Sequence, residues 1–261
     1  MGTSDSRATA PLDGAVALIT GASSGIGEAT ALHLAGLGAA VALVARRADR
    51  LEALASRIGD DGGTALVVQA DIAEQAQAAD AVQRCVSELG RLDVLINNAG
   101  MMLLGPILDA PLEEWDRMVG VNVHGLLYCT HAALPHLLEA AQDSPRGVAD
   151  LVNISSVAGR VARSGSGVYN LTKWGVGAFS ESLRQEVTER HVRVSVVEPG
   201  AVSTELAGHN RPEILETIGR RFADIERMGA DDIADAIGYI ITRPRHVAIN
   251  EVLVRPTEQQ G

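Results

Sequence analysis

Three features of the sequence predict a single-domain α/β fold built on a doubly wound parallel sheet. Seven short apolar runs alternate with stretches of helical periodicity, and the first run ends in a glycine-rich turn. No linker, internal repeat or low-complexity tract interrupts the alternation. Strand alternating with helix implies parallel pairing, right-handed crossovers and helices on both faces of the sheet. With 261 residues, 46% of them hydrophobic, the chain can bury one sizeable core, whereas two equal domains would be cramped.

After a loose tail over residues 1–13, the first strand is expected at 15–20 and a helix follows the glycine turn to about residue 36. Further strands are expected at 40–45, 65–68, 93–97, 151–154, 193–197 and 251–254. Two long helices, about 112–141 and 168–190, carry apolar faces that include Trp115 and Trp174. Residues 205–228 are polar, with apolar positions in helical rhythm and no strand; they are expected to form a short helical lid over the carboxyl edge of the sheet.

Composition narrows the function classes. A net charge of −11, from 33 acidic and 22 basic residues, argues against a surface that tracks nucleic acid. The aromatic content of 3% leaves little for base stacking. A local arginine cluster could still hold one small anion. Cys85 and Cys129 form no CxxC pair and no histidine lies at ligand spacing, which predicts a reducing compartment and no metal. The polar N-terminus lacks the apolar core of a signal peptide. Gly2 to Ser6 loosely fits a myristoylation pattern, but no basic cluster or second anchor accompanies it. No apolar run approaches the roughly 18 residues needed to span a bilayer. A cytoplasmic protein without a membrane partner is expected.

The turn Gly21-Ala22-Ser23-Ser24-Gly25-Ile26-Gly27 lies between a strand and a helix, an arrangement that offers free backbone N–H groups and a helix N-terminus to a phosphate. Its glycines allow a tight turn and close approach of a pyrophosphate. The same residues fit Gly-x-Ser-x-Gly, which would make Ser23 a hydrolase nucleophile. That reading is weak: the turn follows the first strand, and no downstream histidine sits in a recognisable setting. At the end of the second strand, where an acid would hold a ribose 2′-hydroxyl, stand Ala45-Arg46-Arg47. Two guanidinium groups there suit a 2′-phosphate and predict NADP(H) over NAD(H), although such arginines can also simply begin a solvated helix.

Tyr169 and Lys173 lie four residues apart in a helical segment, on one face and one turn apart. An ammonium beside a phenol favours the phenolate and is expected to lower the tyrosine pKa, preparing it to exchange a proton with a carbonyl or alcohol oxygen. An isolated Tyr-x-x-x-Lys is more often a core tyrosine near a surface lysine, so the motif gains its weight from the rest of the chain.

Taken together, these residues resemble the short-chain dehydrogenase/reductase family nearly end to end. The resemblance implies a Rossmann-type fold. It also implies a cofactor set of Gly21, Ser23, Ser24, Gly25, Ile26, Gly27, Arg46, Arg47, Asp71, Ile72, Asn98, Ala99, Gly100, Tyr169, Lys173, Pro199, Gly200, Val202 and Thr204. Asp71 resembles the acid that contacts adenine, and the Pro199-Gly200 turn with Thr204 resembles the cradle of the nicotinamide amide. Asn122, Ser156, Tyr169 and Lys173 fall where the family carries its catalytic tetrad, with Asn122 expected to hold a water that links Lys173 to solvent. Family members commonly pair the two long helices, so a dimer or tetramer is expected.

Residues 101–106, 183–194 and 250–257 are most similar to the clavulanic acid (clavaldehyde) dehydrogenase branch and its NADP-dependent neighbours. Asn170-Leu171-Thr172 departs from the small residues common inside the tyrosine–lysine motif, and the C-terminus lacks the Asp-Gly-Gly turn frequent before the last strand. The substrate side is expected to use Met101, Met102, Ser156, Arg160 and Arg163, with His209 and Arg211 as weaker candidates. A small aldehyde or ketone is expected, with an acid-bearing aldehyde such as clavaldehyde the leading choice. The alternatives are a broad 3-hydroxy-acid or ketone dehydrogenase and a non-catalytic NADPH sensor on the same fold.

Overall fold

The alternation of apolar residues in the strands feeds two cores at once. In the first strand, Val16 and Leu18 pack into one core while Ala17 and Ile19 pack into the other. A strand buried on both faces has no polar side, which is why these runs are continuously apolar. In the computed structural model, which describes residues 10–108, 110–221 and 224–260, the strands are β1 (Val16–Thr20), β2 (Ala40–Ala45), β3 (Ala65–Gln69), β4 (Val94–Asn97), β5 (Ala149–Ile154), β6 (Val192–Pro199) and β7 (Glu251–Val254). They form one sheet in the order β3-β2-β1-β4-β5-β6-β7. Every pairing is parallel.

Helices α1 (Gly25–Gly36), α2 (Ala48–Asp60) and α8 (Ala230–Ile241) cover one face. The other face is covered by α3 (Gln75–Leu89), α5 (Leu126–Asp143) and α6 (Gly167–Val187). The short α4 (Leu112–Val119) joins α5 through a π-helical turn over Gly120–Gly125, so the long helix expected at 112–141 is interrupted. Gly125 is needed there because a Cβ would come within 2.7 Å of the Ile72 side chain. Strand order reverses around β1, between β2 and β4, and opens a crevice at the carboxyl edge of the sheet.

All seven expected strands form, and β5 and β6 extend beyond the expected bounds. The tail ends earlier than expected. Leu12 is fully buried and donates its N–H to Leu37 O, so residues 10–13 pack against the end of α1. Gly2 and Ser6 lie outside the described residues. The segment expected to form a lid consists of a 3-10 turn, Glu205–His209, and α7 (Pro212–Arg221), with its base closed by a bridge between Val202 and Met228. No described helix is long and apolar enough to cross a membrane.

At the amino edge of the sheet, far from the crevice, a buried charge cluster ties the strands to α8. Asp150 accepts two bonds from Arg193, at 2.7 and 3.0 Å, and one from Arg146 at 2.6 Å. Both arginines also donate to Ile241 O, and Arg193 reaches the carbonyls of Arg243 and Val247, so they terminate α8. Removing the shared carboxylate would strand two guanidinium groups with little water. Asp150→Asn is therefore expected to lower the unfolding free energy by about 3 kcal/mol or more in urea denaturation, and a loss below about 1 kcal/mol would contradict this.

Candidate active site

The loops that leave the carboxyl ends of β1 to β6 line one cavity of about 700 Å³. From the expected cofactor set, Gly21, Ser23, Ser24, Gly25, Ile26, Arg46, Arg47, Asp71, Ile72, Asn98, Ala99, Gly100, Pro199, Gly200, Val202 and Thr204 all line it. Gly27 sits behind them and has a packing role: its Cβ would meet Gly21 O at 2.3 Å. Gly21 and Gly25 have φ of +67° and +57°, the left-handed region that favours glycine. A Cβ on Gly21 would come within 2.8 Å of the Ala99 backbone. The Asn98 amide donates to Thr20 O and Gly21 O and holds the turn in shape. Arg47 donates to Ser23 Oγ at 3.0 Å and Ser24 Oγ at 2.8 Å, adding a cation to the same cradle. Glycine turn, hydroxyls, helix start and guanidinium together fit a dinucleotide phosphate.

At the other end of the cavity, the end of β5 and the first two turns of α6 bring Ser156, Tyr169 and Lys173 together. Tyr169 and Lys173 are both about 6% exposed, and the ammonium lies 5.9 Å from the centre of the phenol ring. Lys173 Nζ donates to Ile154 O at 2.8 Å. Ser156 caps a short 3-10 turn by accepting from Ala158 N–H, and its hydroxyl also bonds the phenol. The neighbouring Ser155 donates to Lys173 O and pins α6 to the end of β5.

The proton energetics differ from the expectation of an acidified phenol. Burial holds the Tyr169 hydroxyl above its ordinary value, and the Ser156 hydrogen bond opposes this only in part. Burial also pushes the Lys173 ammonium down to about 8. Desolvation therefore outweighs attraction to the ammonium when nothing else occupies the cavity. The phenol stays protonated at neutral pH, which suits a proton donor.

The Asn122 side chain ties the π-helical turn to the loop after β4: Oδ1 accepts from Met101 N–H at 2.7 Å, while Nδ2 donates to Met101 O and Thr172 Oγ1. One further expectation is corrected. Arg160 does not line the cavity; it is committed to the buried Glu198 and to Glu251, at the edge of β7. Met101, Met102 and Arg163 do line it, as does His209. Arg211 pairs with Glu114 and Glu213 instead.

Several residues that the motifs did not single out shape the site. Thr172 donates to Tyr169 O, continuing a chain from Asn122 into α6. Asn170 donates to Ala158 O and Val161 O and accepts from Arg163 N–H, so it sets the loop after Ser156. The departures at Asn170 and Thr172 thus serve as anchors, while Leu171 between them is exposed. Asn210 accepts from Leu104 N–H and donates to Met102 O, joining the segment after β6 to the loop after β4. One signal was available from counting alone: Lys173 is the only lysine in the chain, beside 21 arginines. An arginine would stay charged at any relevant pH, whereas a lysine can be tuned by burial.

Comparison with known proteins agrees with this geometry. Residues 15–214 match the family model described as short chain dehydrogenase. An uncharacterized oxidoreductase of Staphylococcus epidermidis is 35% identical over 241 residues, covering 92% of this chain and 96% of that protein. Serine dehydrogenase complexed with NADP+ superposes with a TM-score of 0.85 at 31% identity, covering 94% of this chain and 96% of that one. A 3-ketoacyl-(acyl-carrier-protein) reductase from Brucella melitensis, complexed with NADH, gives a TM-score of 0.82 at 32% identity, with coverage of 94% and 98%.

The buried lysine has a measurable cost. Its folded pKa of about 8 lies below the unfolded value of 10.5, so the unfolded chain binds the extra proton between these values and stability rises with pH across that window. Lys173→Met is expected to raise the unfolding free energy at pH 7 by roughly 2 kcal/mol. Urea denaturation should show the gain shrinking from about pH 8 upward; a destabilised variant with no pH trend would contradict the burial cost.

Proposed function

Because this chain belongs to the short-chain dehydrogenase/reductase family, as a nicotinamide-dependent oxidoreductase, we propose that it uses NADP(H) to interconvert a small aldehyde or ketone and its alcohol. The convergence of Ser156, Tyr169 and Lys173 on one buried end of the cavity carries this reading. NADP(H), when bound, supplies or accepts the hydride. Ser156 and Tyr169 donate hydrogen bonds to the substrate oxygen, which steadies negative charge as it develops there. Tyr169 then gives its proton to that oxygen in reduction and takes it back in oxidation. Lys173 stabilises the phenolate left behind, a role that needs its charge and explains why burial is tolerated. Asn122 and Thr172 position α6 through their bonds to Met101 and to Tyr169 O.

NADP(H) is favoured over NAD(H) by Arg47 beside Ser23 and Ser24 and by Arg46 on the wall of the same cavity, with no acid at the end of β2. The substrate reading is a small carbonyl compound, by preference an acid-bearing aldehyde of the clavaldehyde kind. Met101, Met102 and Leu104 give an adaptable apolar wall, and Arg163, His209 and Arg227 bring positive or titratable groups to the same cavity. The same groups would serve a 3-hydroxy acid, so that class is the second reading. Exposed Leu112, Leu171 and Trp174 on α4 and α6 support an oligomer.

Two measurements test these roles. Tyr169→Phe is expected to bind NADPH as the wild type does and to lose roughly a hundred- to ten-thousandfold in turnover, followed by NADPH absorbance on a panel of aldehydes, ketones and 3-hydroxy acids. Near-normal turnover would refute proton donation by the phenol, and a wild-type enzyme inert on the whole panel would favour the sensor. The Arg46→Ala, Arg47→Ala double variant is expected to lose NADPH affinity by about tenfold or more and NADH affinity much less. Equal losses would remove the NADP assignment.

A further inference from the structure

Arg50 was not singled out by any motif, yet it stands one turn after Arg47, in the first turn of α2. The two guanidinium groups grip one carboxylate from opposite ends. Arg47 Nη1 donates to Glu205 Oε2 at 2.9 Å and Arg50 Nη1 donates to Glu205 Oε1 at 2.6 Å. The rest of the Arg47 fork faces Ser23 Oγ and Ser24 Oγ in the glycine turn. Glu205 is the first residue of the lid, and Thr204 before it lies over Gly25, where a Cβ would come within 3.0 Å of the threonine methyl. An anion from the lid is therefore seated between the arginines at the rim of the phosphate cradle.

Carboxylates and phosphate monoesters offer a guanidinium fork the same pattern of acceptors. Their charges differ. Glu205 leaves the arginine pair with one positive charge, whereas a monoester of about −1.5 to −2 neutralises it. With both anions present the site would be net negative, and one of them should leave. The two arginines hold the Glu205 carboxyl at about 2, so it is ionised throughout the working pH range.

We propose that Arg47 and Arg50 together form the seat of the cofactor's 2′-phosphate, and that Glu205 occupies this seat until the phosphate displaces it. Phosphate binding and release of the first turn of the lid are then one event. The proposal rests on the NADP reading above and adds to it Arg50, which no motif marked, and an internal competitor. It also gives the lid a direct report of which dinucleotide has arrived, because a 2′-hydroxyl cannot replace the carboxylate.

Adenosine 2′,5′-bisphosphate and AMP differ by the phosphate in question and separate the two claims. Calorimetric titration of both into the full chain should show the wild type binding the bisphosphate about tenfold or more tighter than AMP. Arg50→Ala is expected to weaken bisphosphate binding about five- to tenfold, and Glu205→Gln to tighten it about three- to tenfold, with AMP unchanged in both. Hydrogen exchange at residues 205–209 should rise when the bisphosphate is added and stay level with AMP. A wild type that prefers the bisphosphate, with both variants within about twofold of it, would overturn the proposal while sparing the NADP reading. Equal changes for the two ligands would also overturn it. A wild type without preference would bring down both.

Discussion

Burying an ammonium is the constraint that organises the carboxyl edge of the sheet. Lys173 is largely removed from water and is held by Ile154 O at the end of β5. A charge so placed is costly unless nearby groups solvate it. The structure meets that need with backbone order: Ser155 bonds Lys173 O, Asn122 and Thr172 link the π-helical turn to the start of α6, and Asn170 fixes the loop after Ser156. The same ties set the position of Tyr169. What stabilises the lysine and what aims the phenol are one network.

The sheet explains why such a network can exist. Parallel strands bring six loops to one edge, and the reversal of strand order around β1 opens a crevice between them. The amino edge carries the Asp150–Arg193–Arg146 cluster, while the carboxyl edge brings Tyr169 and Lys173 to the cavity. The segment after β6 lines the cavity, with Asn210 holding the loop after β4 and Glu205 reaching the arginines at the start of α2.

The fold was legible in the sequence because strands buried on both faces must be continuously apolar, and all seven runs became strands. Ranges failed where tertiary contacts decide them: Leu12 docks under α1, and the π-helical turn interrupts a helix whose periodicity looks unbroken. Glycines, arginines and the tyrosine–lysine pair were legible because their chemistry needs fixed spacing. Arg160 could not be judged from sequence, since Glu198 and Glu251 come from other strands. Asn170 and Thr172 stood out only as departures from the motif, and Asn210 escaped notice, because an amide or hydroxyl that anchors a loop leaves no periodic signal. The phenol's pKa was misjudged because the spacing of two residues says nothing about their desolvation.

A chain with one lysine and three tyrosines allows a direct test of this arrangement. Titration of protein labelled at the lysine ε-carbon and tyrosine ζ-carbon, followed by NMR, would give a single lysine signal and a resolvable Tyr169. Burial predicts an ammonium that titrates near 8 and a phenol that titrates above its ordinary value of about 10. A lysine titrating near 10.5, or a phenol already ionising close to neutrality in the free protein, would contradict the account.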